Sequence, residues 1–345
     1  MGRGLIGDPG VFPIPDGVDR AFAIADRTVS DRWFSSLAEA LSRRAITAVL
    51  LPVPEGEEAK SLHVYQAVLQ QLAVQRAHRD DVVVALGGGS VGDLAGFVAS
   101  TYMRGVPCLQ VPTTLLAQVD AAIGGKTAVN LPEGKNLVGT FAQPVGVIAD
   151  VDPVRELPER AFRSGLAEVA KYALTLDAVL LSRLEADPAA LLSRDPAELE
   201  DVVARCVGSK SRVVVADERD AGERLFLNYG HTLGHALERL DAFAGRSHGE
   251  AVAVGMVFAA RLAESRGDAQ PGLAARTVRL LSGLGLEPGG RLPDPDAVID
   301  AIALDKKYRR GMRFVLLRDV GEPFVAEDVG PDEVRAVLGT MGASR

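Results

Sequence analysis

The sequence predicts an α/β nucleotide-binding domain followed by a mostly α-helical domain, and two patterns along the chain carry this prediction. Apolar, β-branched segments alternate with helical segments through residues 1–152, as they do in doubly wound parallel sheets. Long helical periodicities then dominate residues 153–345, where strand signals are rare. A chain of 345 residues is long enough for two such domains, and we expect a ligand site in the cleft between them.

The first domain shows a regular order of strand and helix signals. β-branched runs indicate strands, and the run at 81–86 ends in glycines, which suits a buried parallel strand. The segments between the strands carry apolar residues at helical spacing. The predicted order is strand 21–25, helix 32–43, strand 46–53, helix 61–76, strand 81–86, helix 94–103, strand 108–111 and strand 145–150.

The second domain shows helical spacing over most of its length. Gly- and Pro-rich residues at 285–296 interrupt the pattern, and one clear strand follows them. A closing helix begins at Asp332. The predicted helices span 160–186, 196–216, 223–241, 248–266 and 271–284, and the strand spans 312–317.

Composition disfavours several classes of function. The formal net charge of −8 weighs against general nucleic-acid binding, which requires a basic face. Cys108 and Cys206 lack CxxC spacing and suit reduced core thiols. The longest apolar run, 251–260, is too short to span a bilayer, and the N-terminus lacks a signal-peptide pattern. We therefore expect a soluble cytoplasmic protein that binds neither membranes nor nucleic acid.

A glycine-rich turn follows the strand at 81–86 and precedes a helix. It reads GGGSVGD over residues 87–93 and contains the spacing Gly87-x-Gly89-x-x-Gly92. Glycines let the backbone approach a pyrophosphate, and a helix N-terminus offers it free N–H groups. The acidic residue usual about twenty positions later, on the next strand, is missing. If NAD binds at this turn, its ribose must be held in another way.

A candidate metal site is indicated by histidines that lie close together in the sequence. His231 and His235 are four residues apart and share one helix face, and His248 begins the next helix. Glu168 stands on an otherwise apolar helix face, with Lys171 one turn further on. Two histidines and one carboxylate can hold a divalent metal and leave positions open for a substrate. The spacing leaves open which two histidines ligate.

A set of cations lies in glycine-rich surroundings rather than in the mixed-charge pattern of an ordinary helix surface. Lys126 and Lys135 flank the apolar, Gly-rich run 121–138, and Arg104 precedes Gly105. Loops of this kind suit recognition of phosphate or carboxylate groups by charged donors. Later cations of the set are Lys210, Arg224, Lys306 and Lys307.

Several of these features belong to an ordered series of short motifs. The motifs are GGGSVGD at 87–93, YMRG at 102–105, VPTTLLAQVD at 111–120, GGK at 124–126, GKN at 134–136, GLAE at 165–168, NYGHTLGH at 228–235, HGEA at 248–251 and DKK at 305–307. In order and spacing they resemble the 3-dehydroquinate synthase family of sugar-phosphate cyclases. The resemblance covers nearly the whole chain and implies that family's fold, with NAD held by the first domain and metal and substrate by the second.

The resemblance implies roles for individual residues. Glu168, His231 and His248 would hold zinc or cobalt, and Arg104 would reach the phosphate site of a neighbouring subunit in a homodimer. The implied catalytic residues are His235, which would assist proton transfer, with Lys126, Lys171, Lys210, Arg224 and Asn228. The implied substrate-binding residues are Arg104, Lys135, Asn136, Lys306 and Lys307. The implied NAD-binding residues are Glu57, Lys60, Gly89, Ser90, Val91, Gly92, Asp93, Thr113, Thr114, Asp120, Lys126 and Lys135.

The resemblance also implies a reaction. The substrate would be 3-deoxy-D-arabino-heptulosonate 7-phosphate, and the products would be 3-dehydroquinate and phosphate, in the shikimate pathway. NAD⁺ would oxidise the C5 hydroxyl transiently, phosphate would leave, the hydride would return, and an aldol step would close the ring.

Other functions remain open. Another sugar-phosphate cyclase would share the metal and NAD residues. The match of Lys210, Arg224, Asn228 and the Asp305–Lys306 pair favours the dehydroquinate product over a deoxy-inosose or a valiolone, but it does not exclude an aminodehydroquinate synthase. A metal-dependent polyol dehydrogenase would have no use for Lys126, Lys135 and Arg104 as phosphate ligands. A degenerate homologue that serves as an interaction subunit would not need the intact set of ligands and cations.

Overall fold

The computed structural model describes residues 1–219, 222–241, 245–303 and 312–342, and the chain divides into two compact units. The first unit is built around a parallel sheet, and the second mainly from helices. The predicted fold class is therefore confirmed. The first unit consists of Met1–Leu157 and Leu199–Val207, and the second of Pro158–Glu198 and Gly208–Arg345.

The described strands form three sheets. They are β1 Arg20–Asp26, β2 Thr47–Val53, β3 Val82–Gly87, β4 Cys108–Pro112, β5 Lys126–Leu131, β6 Gly134–Phe141, β7 Gly146–Val147, β8 Met312–Leu317 and β9 Pro323–Val329. The main sheet has the order β2-β1-β3-β4-β7 with every neighbouring pair parallel. The pairs β5–β6 and β8–β9 are antiparallel hairpins.

The main sheet is covered on both faces, which explains its apolar strands. Side chains alternate along β1, so that Phe22 and Ile24 pack into one core while Ala21 and Ala23 pack into the other. Every residue of β3 is buried. A central parallel strand with no solvent-facing side reads as a continuous apolar run, which is how this strand was recognised in the sequence.

Helices make up most of the remaining structure. In the first unit they are α1 Arg27–Val29, α2 Ser35–Ser42, α3 Leu62–Val74, α4 Gly89–Thr101 and α5 Asp152–Arg155. Further along the chain they are α6 Glu159–Thr175, α7 Ala178–Ala186, α8 Pro188–Leu192, α9 Pro196–Ala216, α10 His231–Leu240, α11 His248–Arg266, α12 Leu273–Gly283, α13 Pro295–Ala303 and α14 Pro331–Gly342. Of these, α9 contributes Leu199–Val207 to the first unit. No described helix is long and apolar enough to cross a membrane.

Several predicted boundaries are wrong for identifiable reasons. The predicted helix 160–186 is two helices, because Asp177 caps α7 by accepting the Leu180 N–H at 2.9 Å. Helix α4 starts at Gly89 rather than at 94, since its first turn is made of small residues with weak helix propensity. The predicted last strand, 145–150, is only the two-residue strand β7. The predicted helix 223–241 is a 3₁₀ helix at Glu223–Asn228 followed by α10. The elements β9 and α13 were not predicted.

The thiol of Cys108 is expected to resist alkylation in the folded protein. Burial in the sheet raises its pKa to about 12, so the reactive thiolate is almost absent at pH 8. Iodoacetamide treatment at pH 8 followed by mass spectrometry should find Cys108 unmodified after an hour. The same treatment in guanidinium chloride should modify it fully. Rapid modification without denaturant would contradict the burial of this strand.

Candidate metal and cofactor sites

Glu168, His231 and His248 come together in the second unit. Their ligand atoms all lie within 4.8 Å of one another. Glu168 Oε1 is 3.3 Å from His231 Nε2 and 3.4 Å from His248 Nε2. Glu168 lies on α6, whereas the two histidines are the first residues of α10 and α11. Sequence spacing left open which two of the three histidines ligate, and the two that approach Glu168 are His231 and His248.

Two features of this cluster fit a divalent metal. Glu168 is fully buried, and neither of its carboxylate oxygens accepts a well-directed hydrogen bond from a described residue. Two ligands of a tetrahedral zinc ion, each about 2.0–2.1 Å from it, lie roughly 3.3 Å apart. This separation matches both measured N···O distances. Of the two oxygens, Oε2 faces Lys171, so Oε1, which faces both histidine nitrogens, is the oxygen that a zinc or cobalt ion would satisfy.

Each histidine is oriented through its other ring nitrogen. His231 Nδ1 lies 3.1 Å from the Tyr229 carbonyl oxygen, which can only accept, so this nitrogen carries the proton. His248 Nδ1 lies 3.3 Å from Glu238 Oε2. Because Nδ1 of each ring is directed at these acceptors, Nε2 is the nitrogen of each ring that would ligate a metal beside Glu168.

Close contacts between helix backbones hold the three ligand-bearing helices together. A Cβ atom on Gly255 of α11 would lie 1.9 Å from the carbonyl oxygen of Gly230, which precedes α10. A Cβ atom on Gly249 would lie 2.3 Å from the Ser164 carbonyl oxygen on α6, and the Gly249 N–H donates to Ser164 Oγ at 3.0 Å. Since only glycine permits such approaches, the spacing of the ligands depends on residues that ligate nothing.

Lys171 lies against the buried carboxylate of the cluster. Its Nζ forms an ion pair with Glu168 Oε2, and both side chains are almost fully buried. Burial by itself would raise the pKa of Glu168, but Lys171 and then His231 outweigh it and hold that pKa well below its usual range. Glu168 is therefore an ionised, metal-competent ligand at neutral pH.

Two more predicted cations, Lys210 and Arg224, are buried in the second unit. Arg224 Nη1 donates to the Glu218 carbonyl, and the Arg224 backbone N–H donates to Asp217 Oδ2 at 3.2 Å. Burying a cation costs free energy unless anions or acceptors surround it, so proteins retain few of them. Three buried cations in one unit, counting Lys171, therefore suit an anionic ligand.

The structure places the other predicted residues of this unit differently. The His235 ring is exposed, and its centroid lies 5.4 Å from that of His231, so it borders the metal cluster. Asn228 is half-buried and donates to a backbone carbonyl at 3.0 Å. Lys306 and Lys307 lie outside the described residues.

The glycine turn lies at the carboxyl end of β3, where open parallel sheets bind ligands. The first turn of α4, which contains Gly89, Ser90, Val91 and Gly92, receives no side-chain cap from a described residue. Thr113 donates its N–H to the Gly87 carbonyl at 3.0 Å, and the buried Thr113 Oγ1 has no partner among the described residues. Uncapped N–H groups and an unpartnered hydroxyl fit the pyrophosphate and ribose of NAD. Thr114 and Asp120 are half-buried on the segment that follows.

A polar network ties the glycine turn to the β5–β6 hairpin. Lys60 Nζ is buried and lies 2.6 Å from Asp93 Oδ2 and 2.5 Å from Asn136 Oδ1. Asn130 Nδ2 donates to Glu57 Oε2 at 2.8 Å, and Asn130 Oδ1 accepts the Asn136 N–H at 2.9 Å. Predicted cofactor residues and a predicted substrate residue are therefore joined within one unit.

The two hairpin lysines lie on strands rather than in loops, which corrects the prediction. Lys126 begins β5 and Lys135 lies on β6. The glycines of this segment weaken its strand signal, whereas cross-strand contacts such as Thr127 Oγ1 to the Thr140 carbonyl, at 3.0 Å, stabilise the pairing. A cavity of about 260 Å³ is lined by Asp93 of α4 and by hairpin residues that include Lys126 and Asn136.

A strained turn presents Arg104. Met103 and Arg104 have φ angles of 48° and 66°, in the left-handed region. Each non-glycine residue there costs about 1–2 kcal/mol. Strained backbone of this kind persists where surrounding structure enforces it, which is common at functional sites. The Arg104 side chain is exposed.

Replacing Asn130 by aspartate is expected to loosen the hairpin tip. The new carboxylate would face Glu57 at the position where the amide now donates, and the loss should lower the free energy of unfolding by about 1 kcal/mol. The second change Glu57→Gln restores a donor and should recover most of this loss. Urea denaturation of the two single variants and the double variant measures the coupling. Strictly additive effects would show that the pair does not interact.

Three residues with functional positions were missed in the sequence. Asp26 is the last residue of β1, the strand that pairs with β3. It is 8% exposed and accepts the Val29 N–H at 2.9 Å. Its carboxylate therefore lies at the carboxyl end of the parallel strands, where the sequence offered no acidic residue for a ribose. Glu238 continues the histidine face of α10, and Asn130 precedes the hairpin turn. An acid directly after an apolar strand was a usable signal for Asp26. Nothing in the local sequence distinguishes Asn130.

Two family models match most of the chain. A family model described as "3-dehydroquinate synthase N-terminal" matches residues 50–164, and one described as "3-dehydroquinate synthase C-terminal" matches residues 165–308. The chain is 45% identical over 343 residues to the 3-dehydroquinate synthase of Symbiobacterium thermophilum, covering 97% of this chain and 95% of the relative.

Solved structures of related cyclases share the fold. One is a 2-deoxy-scyllo-inosose synthase complexed with carbaglucose-6-phosphate, NAD⁺ and Co²⁺, with a TM-score of 0.85 and 30% identity, covering 94% of this chain and 91% of that one. Another is the 2-epi-5-epi-valiolone synthase of Streptomyces hygroscopicus with NAD⁺ and Zn²⁺ bound, with a TM-score of 0.89 and 28% identity, covering 98% and 95%. From the family models and the full-length identity, the chain belongs to the 3-dehydroquinate synthase family.

Proposed function

We propose that the chain converts 3-deoxy-D-arabino-heptulosonate 7-phosphate to 3-dehydroquinate and phosphate. The observation that carries this proposal is the convergence of Glu168, His231 and His248 within 4.8 Å in a chain of this family. A net elimination of phosphate followed by ring closure uses a metal, a redox cofactor and several cations. The residues that suit each of these needs are all present.

The two implied cofactors have separate sets of residues. Glu168, His231 and His248 would hold zinc or cobalt, and the glycine turn with Thr113 would hold NAD⁺. When bound, the metal supplies Lewis-acid polarisation of a substrate hydroxyl and NAD⁺ supplies a transient hydride acceptor. We assign NAD binding to residues 1–152 and binding of metal and substrate to residues 153–345.

The cations of the chain bind and orient the anionic substrate. Lys171, Lys210 and Arg224 are buried, so their attraction to a carboxylate or phosphate is little screened by water. The more accessible Lys126 and Lys135 can neutralise the charge of the leaving phosphate. Charged groups that fix the substrate lower the entropic cost of reaching a reactive geometry.

His235 is proposed to move a proton during the reaction. Its imidazole is the exposed member of the three histidines, whereas His231 and His248 direct Nε2 toward Glu168. An imidazole that is not ligated can accept a proton on a ring nitrogen and release it near neutral pH. The ring next to the metal cluster is therefore placed to exchange a proton with a bound hydroxyl or phosphate oxygen.

Related cyclases remain the second candidate class. Identity to dehydroquinate synthases reaches 45%, against 28–30% for the two cyclases with other products, which supports the dehydroquinate product. An aminodehydroquinate synthase would use the same described residues. A polyol dehydrogenase is less well supported, because an uncharged polyol offers no anionic group for the buried cations Lys210 and Arg224 to bind.

We further propose that the enzyme acts as a homodimer in the cytoplasm. The exposed, strained presentation of Arg104 supports a contact with the phosphate site of a neighbouring subunit. Cys108 and Cys206 are buried and form no disulfide, which supports a reducing compartment. Sedimentation of the wild-type chain and of Arg104→Ala, combined with mixed-subunit activity, would test the shared site.

One assay tests the proposed reaction. The purified chain is mixed with the heptulosonate phosphate, NAD⁺ and Zn²⁺, and phosphate release is followed together with dehydroquinase-coupled product formation. We expect phosphate and dehydroquinate in equal amounts and no net NADH. Absence of phosphate release would refute the lyase reaction, and NADH accumulation with glycerol-like polyols would instead support a dehydrogenase.

A further inference from the structure

Glu238 is a buried carboxylate that has no role in the proposed reaction. It is 6% exposed and follows His231 by seven positions and His235 by three, so the three side chains share one face of α10. A buried carboxylate is costly unless a partner compensates it. Glu238 Oε2 lies 3.3 Å from His248 Nδ1, on the side of the imidazole opposite the nitrogen that faces Glu168.

The two candidate histidine ligands therefore differ in their outer partners. His231 Nδ1 meets the neutral Tyr229 carbonyl, whereas His248 Nδ1 meets a carboxylate. We propose that Glu238 is a positioning residue that fixes the orientation and tautomer of His248 and thereby sets the affinity of the metal site. The inference rests on the proposed metal site, but its test needs no turnover.

The physical effect of Glu238 has two parts. Accepting the Nδ1–H bond holds the His248 ring so that Nε2 points at the site without loss of rotamer entropy on metal binding. The negative charge also makes the imidazole more electron-rich, so Nε2 donates more strongly to a cation. Removal of an outer-shell partner of this kind typically weakens metal binding about 10–100-fold.

A second group of possible ligands offers an alternative role for Glu238, as a direct metal ligand. His235, Glu238 and His248 also offer ligand atoms within 4.8 Å of one another. If the ion were bound there, Glu238 would be a direct ligand and Glu168 would be dispensable. The geometry favours Glu168 as the ligand, because the Nε2 atoms of His231 and His248 lie 3.3 and 3.4 Å from its Oε1.

The test measures metal affinity rather than activity. Zn²⁺ is titrated into chelator-stripped protein in competition with a chromogenic chelator, and Co²⁺ spectra report the ligand set. Glu238→Ala should weaken Zn²⁺ binding about 10–100-fold, while Glu238→Gln, which keeps an acceptor of the same shape, should weaken it less. In Zn²⁺-loaded Glu238→Gln, ¹⁵N chemical shifts should keep the His248 proton on Nδ1.

Glu264→Gln is the matched control variant. Glu264 lies on α11, as His248 does, but its carboxylate accepts the N–H groups of Gly272 and Ala274 at 2.7 and 3.0 Å, away from the metal cluster. This variant should lose stability with unchanged Zn²⁺ affinity. Wild-type affinity in Glu238→Ala would overturn the proposal. So would an equal loss in Glu264→Gln, or unchanged Zn²⁺ affinity in Glu168→Gln alongside a large loss in His235→Ala.

Discussion

Replacing His248 by alanine is expected to abolish metal binding and phosphate release together. The change removes one of three candidate ligands and leaves Glu168 and His231 as the remaining two. Zn²⁺ affinity should fall by more than about 100-fold, beyond what the loss of an outer-shell partner costs. Chelator competition measures the affinity, and the coupled phosphate assay should give about 1% or less of wild-type activity.

The fold should survive this substitution, which keeps the result interpretable. The Ser247–Glu250 capping box that starts α11 does not involve the His248 side chain. The matched control is His63→Ala, since His63 is an exposed histidine on α3. It should bind Zn²⁺ as the wild type does. Full zinc stoichiometry in His248→Ala would show that the ligand set is assigned wrongly.

Replacing Gly255 by alanine is expected to damage both stability and the metal site. The added Cβ would lie 1.9 Å from the Gly230 carbonyl oxygen, a contact that neither backbone can relieve without moving α10 away from α11. The free energy of unfolding should fall by about 3 kcal/mol or more. Because His231 starts α10 and His248 starts α11, Zn²⁺ affinity of the folded fraction should fall as well.

Gly339→Ala separates this steric effect from the general effect of glycine in a helix. Gly339 lies on α14, and a Cβ atom there would meet nothing within 4 Å. Alanine should therefore stabilise the chain by about 0.5–1 kcal/mol. Urea denaturation of both variants makes the comparison. A Gly255→Ala variant with wild-type stability would mean that α10 and α11 are not in the described contact.

Local patterns predicted the elements that build the first unit well. The β-branched run of β3 and the glycine turn after it were recognisable because a doubly covered parallel strand must be apolar throughout. The β5–β6 hairpin was not recognised, although Lys126 and Lys135 were selected as functional. Its strand character comes from cross-strand pairing, which a linear pattern of glycines and polar residues does not display.

Side-chain chemistry was likewise more predictable than side-chain partners. Glu168 and the histidines were found from composition and helical spacing. Their approach within 3.3–3.4 Å, the buried ion pair with Lys171, and the outer contact of Glu238 all depend on where α6, α10 and α11 cross. Those crossings are set by glycines whose role appears only when the facing backbone is known.

By itself, the sequence determined which residue types this protein has for its chemistry and in which local elements they lie. It did so because helix periodicity, strand burial and glycine turns are properties of neighbouring residues. Only the tertiary structure decided which histidines face Glu168 and which carboxylate lies behind His248. It also decided that Lys60 and Asn130 join the cofactor turn to the hairpin. Those contacts join residues far apart in the chain, and packing between elements, not local propensity, brings them together.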